Sequence, residues 1–134
     1  MSTLKASIAL STTTLYPTPV NISVVATEQV SGSADFQTII LAPDETQTIY
    51  GPSLTSDPSS TVYFYVQADS ANTTNVDIYS KINSTVSSSI LATLRPNDFM
   101  WVPLAAYASG LEIKATNLNG LNSSVLKVFW GERS

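Results

Sequence analysis

The side chains that most often do chemistry are missing from this 134-residue sequence or scattered along it. There is no histidine and no cysteine. That removes Ser-His-Asp and Cys-His arrangements, the commonest general base, imidazole and thiolate metal sites, and any disulfide framework. A Ser-x-x-Lys spacing occurs at Ser2 and Lys5, in a terminal stretch that gives a nucleophile no fixed surroundings. Two paired carboxylates could hydrolyse a glycoside. The acids available are Glu28, Asp35, Asp44, Glu45, Asp57, Asp69, Asp77, Asp98, Glu112 and Glu132. Most fall in turns or on the polar side of alternating segments, where acids serve solubility. Asp44-Glu45 and Asn97-Asp98 could offer oxygens to calcium, but no loop spaces five or more such ligands, and turn capping is the expected role. The glycines at 32, 51, 110, 120 and 131 are dispersed and build no phosphate cradle. The expectation is a non-enzyme with no catalytic residue, no cofactor and no metal.

Charge narrows the partners. Charged residues make up 12% of the chain, about half the usual fraction. The net charge is −4, and the six cations (Lys5, Lys81, Arg95, Lys114, Lys127 and Arg133) stand singly. Gripping phosphates takes clustered Lys and Arg, so nucleic acid is excluded as a partner. Polarity comes instead from 20 Ser and 16 Thr. With 43% hydrophobic residues and little net charge, the chain has the composition of a folded protein. No basic leader followed by an apolar stretch is visible, and no apolar run nears the roughly 20 residues of a bilayer span. These features lead us to expect a complete, soluble protein made in a cytosol, with no membrane partner. Its length suits one domain over residues 1–134.

Aromatic residues are the remaining candidates for a site. Tyr63 and Tyr65 fall on the side opposite Val62, Phe64 and Val66. Phe99, Met100, Trp101 and Val102 are apolar on both sides, and Phe129 is followed directly by Trp130. Exposed rings could form a sugar-binding platform, using Tyr63, Tyr65 or Tyr79. The favoured reading is an interface between subunits through Tyr63, Tyr65, Phe99, Trp101, Phe129 and Trp130, because doubly apolar strands and low charge suit an interface.

The elements that must position these rings are strands. Leu4, Ala6, Ile8 and Leu10 alternate with polar residues, the period of a half-buried strand. The same period returns at Val20, Ile22, Val24 and Ala26; at Val62, Phe64, Val66 and Ala68; at Val76 and Ile78; and at Leu111, Ile113 and Ala115. Residues 36–41, 46–50, 99–102 and 125–130 complete eight to ten strands. Turn sequences separate them: Ser31-Gly32-Ser33, Pro43-Asp44, Gly51-Pro52, Asp57-Pro58, Pro96-Asn97 and Asn119-Gly120. The strongest helical candidate, residues 102–107, is interrupted by Pro103. The fold class is all-β, a β-sandwich of jelly-roll type first and immunoglobulin-like second.

An internal repeat is also expected. Leu41-Ala42-Pro43-Asp44-Glu45 is echoed by Leu94-Arg95-Pro96-Asn97-Asp98, and the hairpin over residues 62–76 by that over 111–125. Two similar β-units sharing one core would account for both. Pro43 and Pro96 should open tight turns capped by Asp44 and Asn97. Asn-x-Ser/Thr triplets at Asn21, Asn72, Asn83 and Asn122 reflect composition rather than glycosylation.

Leu94-Arg95-Pro96-Asn97-Asp98 leading to Trp101-Val102-Pro103-Leu104, with the closing stretch Leu126-Lys127-Val128-Phe129-Trp130-Gly131-Glu132, resembles the small β-sandwich accessory proteins of tailed-bacteriophage virions. Capsid decoration, or cement, proteins are the nearest in style. The resemblance implies a virion-located homo-oligomer, with a trimer expected, bound to the major capsid protein or another virion protein. It brings no catalytic residues. A neck, tail or head-fibre component fits the same residues, and a carbohydrate-binding module is the alternative outside virion architecture.

Overall fold

A computed structural model describes residues 2–12, 20–31, 37–51, 62–82, 89–104 and 111–133. Those residues form ten strands and no helix: β1 (Ser2–Thr12), β2 (Val20–Ser31), β3 (Gln37–Leu41), β4 (Thr46–Tyr50), β5 (Val62–Ala68), β6 (Val76–Ile82), β7 (Ser89–Leu94), β8 (Phe99–Leu104), β9 (Leu111–Asn117) and β10 (Ser124–Arg133). Every strand expected from alternation is present. The turn sequences at 31–33, 51–52 and 57–58, and the second half of the 102–107 segment, lie wholly or partly outside the described residues.

All strand pairs are antiparallel and fall into two sheets. The larger runs β1-β2-β10-β5-β8, with β3 also paired to β10, and the smaller runs β4-β9-β6-β7. Period-2 alternation aims one side of each sheet at the other. Phe64, Val66 and Ala68 of β5 and Leu126, Val128 and Trp130 of β10 meet Ile49 and Tyr50 of β4, Val76 and Ile78 of β6, and Ile113 and Ala115 of β9. Each fully buried aliphatic or Phe side chain contributes about 1.5–3 kcal/mol of transfer free energy. The Tyr50 ring stands edge-on to both Phe64 and Trp130, with centroids 6.1 Å apart in each pair. Ile49 and Tyr50 are neighbours yet both buried, because the register with β9 shifts between Thr48 and Tyr50. Such an irregularity turns an extra side chain inward.

The repeat extends beyond the sequence echo. Strands β3 to β6 correspond in order to β7 to β10, and their pairings interchange. β3 pairs β10 as β7 pairs β6, β4 pairs β9 as β8 pairs β5, and the central ladders are β5 with β10 and β6 with β9. Every ladder among these eight strands therefore joins one half to the other. The two echoed turns share one hydrogen-bond pattern. Glu45 N–H donates to Ala42 C=O and Asp98 N–H to Arg95 C=O, each at 3.0 Å. The capping differs from expectation: Asp44 and Asn97 take positive φ, and the caps come from the next residues. Ala42 N–H donates to Glu45 Oε2 and Arg95 N–H to Asp98 Oδ2. A short side chain tolerates the left-handed backbone, which leaves the following carboxylate to reach back three residues.

β1 and β2 form an arm rather than part of the sandwich. They pair with each other from Ser2↔Val30 to Thr12↔Val20, but with β10 only at Glu132↔Ser31 and Arg133↔Val30. Residues 20–29 of β2 thus continue past the end of β10. Ile8, Leu10, Ile22 and Val24, which alternation presents as half-buried, are exposed. The physical reason is positional: the ribbon runs beyond the opposing sheet that would have covered it.

Candidate functional site

The side of the larger sheet that faces away from the core is aromatic. Register aligns three rows across β10, β5 and β8: Phe129–Tyr65–Trp101, Gly131–Tyr63–Pro103, and Lys127–Gln67–Phe99. Inner and outer sides follow from parity. Phe64, Val66, Leu126 and Val128 are in the core, so the residues between them point outward. Ile40, opposite Val125 on β3, extends the apolar side and is exposed.

Rings pair diagonally across β5 and β8. Tyr63 stacks on Trp101 with centroids 5.5 Å apart and planes inclined by 15°. Tyr65 stacks on Phe99 at 6.2 Å and 28°. Diagonal neighbours on adjacent strands are within reach of aromatic side chains, and stacked pairs add about 0.5–1.5 kcal/mol to area burial. Tyr63 and Phe129 are largely buried, Trp101 is half-buried, and Phe99 is 55% exposed.

A polar thread borders the rings. Tyr65 Oη donates to Gln67 Oε1 at 3.1 Å, and Gln67 Nε2 donates to Asn97 Oδ1 at 3.4 Å. Burial pushes the Tyr65 phenol above its ordinary pKa, so it stays protonated and able to donate. In the three rows the one charge is Lys127. The surface has little for an ion to grip, and its open apolar area is centred on Phe99 and Ile40, with part of Tyr65 and Trp101.

Five of the six expected interface residues, Tyr63, Tyr65, Phe99, Trp101 and Phe129, thus come together on one face. Trp130 does not join them. It shares the parity of Leu126 and Val128, is 7% exposed, and belongs to the core against Tyr50. Tyr79 belongs to the smaller sheet, opposite Lys114, and is not part of this face. The residues that alternation did not single out are Gln67 and Asn97. Gln67 shares the parity of Tyr63 and Tyr65, a cue present in the sequence.

Several of the described acids serve local structure. Asp77 accepts from Thr93 Oγ1 at 2.6 Å, and Asp69 from Ala71 N–H at 2.8 Å. Among the described residues, no group of three or more acids is placed to hold a metal ion. Asn72, in one of the Asn-x-Thr triplets, is buried and bonded both ways to Val125, donating to C=O at 2.9 Å and accepting from N–H at 2.8 Å. The side chains of Asn21 and Asn83 lie outside the described residues. No helix among the described residues is long and apolar enough to cross a membrane. Comparison of the chain with protein-family models, curated proteins and solved structures finds no match.

Proposed function

We propose that this protein is a non-catalytic structural component of a virion, of the capsid-decoration type, acting as a homo-oligomer. The observation that carries the reading is the aromatic outer face of the larger sheet, which gathers Tyr63, Tyr65, Phe99, Trp101 and Phe129. Contiguous aromatic area with little charge suits a protein–protein contact. The strand orders support it: β3-β10-β5-β8 and β4-β9-β6-β7 fit a jelly-roll reading of the two sheets, an architecture common in capsid proteins. The partners are further copies of the chain and the major capsid protein or a neighbouring virion protein. The place of action is the particle, after synthesis in the host cytoplasm. Many copies on a repeating lattice turn a modest single-site affinity into durable attachment through effective concentration.

The test mixes purified protein with particles that lack it, images them, and follows thermal rupture. Regular occupancy with a raised rupture temperature is the expected result. Absence from every capsid site, with density at the neck, tail or fibres, would move the assignment there.

A second reading, a glycan-binding surface, is favoured by one observation: Gln67 and Asn97 flank the Tyr65–Phe99 stack, so amides adjoin rings. Titration with a glycan panel, followed by Trp and Tyr fluorescence, separates the two.

A further inference from the structure

The arm of β1 and β2 carries its apolar stripe on the same side of the sheet as the aromatic face. Val30 lies opposite Arg133, a position with the parity of Lys127 and Phe129. Val24 and Ile22 share the parity of Val30 and lie opposite Ile8 and Leu10. These four residues are 39–59% exposed. The other side of the ribbon, with Lys5, Ser7, Ser11, Ser23 and Thr27 around a single large apolar residue, Val25, is exposed as well. A two-stranded ribbon solvated on both sides is marginal in water, so a stripe of this kind gains stability by covering something.

We infer that the arm of one copy lies across the outer face of the larger sheet of a second copy, and that two copies exchange arms about a two-fold axis. The inference rests on the reading of that face as an interface between copies, and does not require the virion role. Length favours it. Residues 20–29 run past the last pair with β10, a reach of roughly 34 Å at 3.4 Å per residue. The strands β5 and β8 that bear the rings have 7 and 6 residues and span roughly 20–24 Å. The ribbon can therefore cross a neighbour's face from end to end. It cannot cover its own, because it continues β2 away from the body.

Chemistry favours it too. Ile8, Leu10, Ile22 and Val24 carry no charge, the one acid on their parity, Glu28, lies opposite Leu4 nearer the body, and the three rows they would meet hold only Lys127. Apolar contact of this kind depends little on salt.

Area selects the symmetry. A ribbon roughly 34 Å long and two strands wide offers on the order of 300 Å² per face. One arm-on-face contact then removes about 600 Å² in total, the size of a lattice contact. A two-fold axis doubles this to about 1,200 Å², the lower bound of stable specific interfaces. In a three-membered ring each interface would hold a single contact. The area therefore favours a dimer over the trimer that the family resemblance implies.

The experiment uses the full chain without particles, so its outcome is independent of capsid binding. Light scattering after size exclusion at micromolar concentration should give twice the 14.3 kDa chain mass. Leu10→Asp with Ile22→Asp on the arm, or Phe99→Asp on the face, should each return it to one chain mass with an unchanged β spectrum. Because the chain has no cysteine, single cysteines can be placed cleanly. Chains with Ile8→Cys, Ile22→Cys or Val24→Cys are mixed with chains carrying Phe99→Cys or Trp101→Cys and treated with a short bismaleimide. At least one mixture should give an arm-to-face heterodimer, even if the Asp variants fail to fold. Wild-type mass of one or three chains, or no arm-to-face cross-link in any mixture, would overturn the inference.

Discussion

Asp44 and Asn97 occupy equivalent turns in the two halves of the sandwich, and both take left-handed backbone, at φ 56° and 72°. Ordinary L-residues pay for this conformation, while Asn, Asp and Gly adopt it readily. Asp44→Ala and Asn97→Ala should each lower stability by about 1 kcal/mol, or Tm by about 3–4 °C for a chain of this size. The corresponding Gly substitutions should stay near wild type. Thermal melts of the four variants check the pattern.

Beside Asp44, the Glu45 carboxylate accepts from Ala42 N–H at 2.6 Å and from Gln47 Nε2 at 2.9 Å. The backbone hydrogen bond first, and the Gln47 amide second, hold its pKa below the ordinary 4.5, against a small opposing effect of desolvation. A depressed folded-state pKa stabilises the fold above the unfolded pKa, and that contribution is lost as pH falls through the folded value. Glu45→Gln, which cannot titrate, should melt below wild type at neutral pH. The two should converge as pH falls below 4.5 and through the lowered folded value, in melts recorded from pH 7 to 3.

Asn117 is fully buried and braces the adjacent loop. The two hydrogens of its Nδ2 are shared among the C=O groups of Leu41, Ala42 and Asn122, and its Oδ1 accepts from Asn119 N–H and Ser124 Oγ–H. Removing that amide leaves several buried polar groups unpaired, each costing about 1–3 kcal/mol. Asn117→Ala should lose about 3 kcal/mol or more in urea unfolding, with an unchanged strand spectrum.

The two sides of the larger sheet should respond differently to truncation. Phe64 is fully buried, and Phe64→Ala should cost about 3–5 kcal/mol. Phe99→Ala, at an exposed position, should cost less than about 1 kcal/mol in the isolated chain. A double-mutant cycle between Tyr63 and Trp101 should return a coupling of about 0.5–1.5 kcal/mol, as expected for the stacked pair. Denaturant titrations supply all the values needed.

Deleting residues 1–31 tests whether the arm is separable. The strands β3 to β10 complete both sheets without β1 and β2, apart from two residue pairs. The shortened chain should keep its β spectrum and a cooperative transition, and should run as a monomer.

Alternation revealed the strands because a sheet with one buried side writes its period directly into the sequence. It also held the side taken by Trp130: Leu126, Val128 and Trp130 share one parity, and Lys127 marks the other as outward. Apolar character on both sides masked that cue. The Leu-x-Pro-x-acid turns pointed to the repeat, but pairing partners such as β3 and β10 are distant in sequence and carry no local mark. Exposure of the arm was hidden for a related reason. An amphipathic strand has the same pattern whether its cover comes from its own chain or from another. Asn117, on the inward parity of Ile113 and Ala115, was readable as a buried amide, though its five partners come from two stretches of the chain, residues 41–42 and 119–124.

The exchange of ladders between the halves bears on how the protein is made. As β3 to β6 leave the ribosome, none of them can pair with another, because every partner lies in the half still to be translated. The emerging chain carries four apolar-sided strands with unfilled edges until β7 to β10 follow. The sandwich ladders must then wait for the second half, and the long sequence separation of their partners slows folding. A stop codon placed after Ile82 would release a fragment whose one remaining ladder is the β1–β2 ribbon, and supplying β7 to β10 as a second polypeptide would restore every missing ladder.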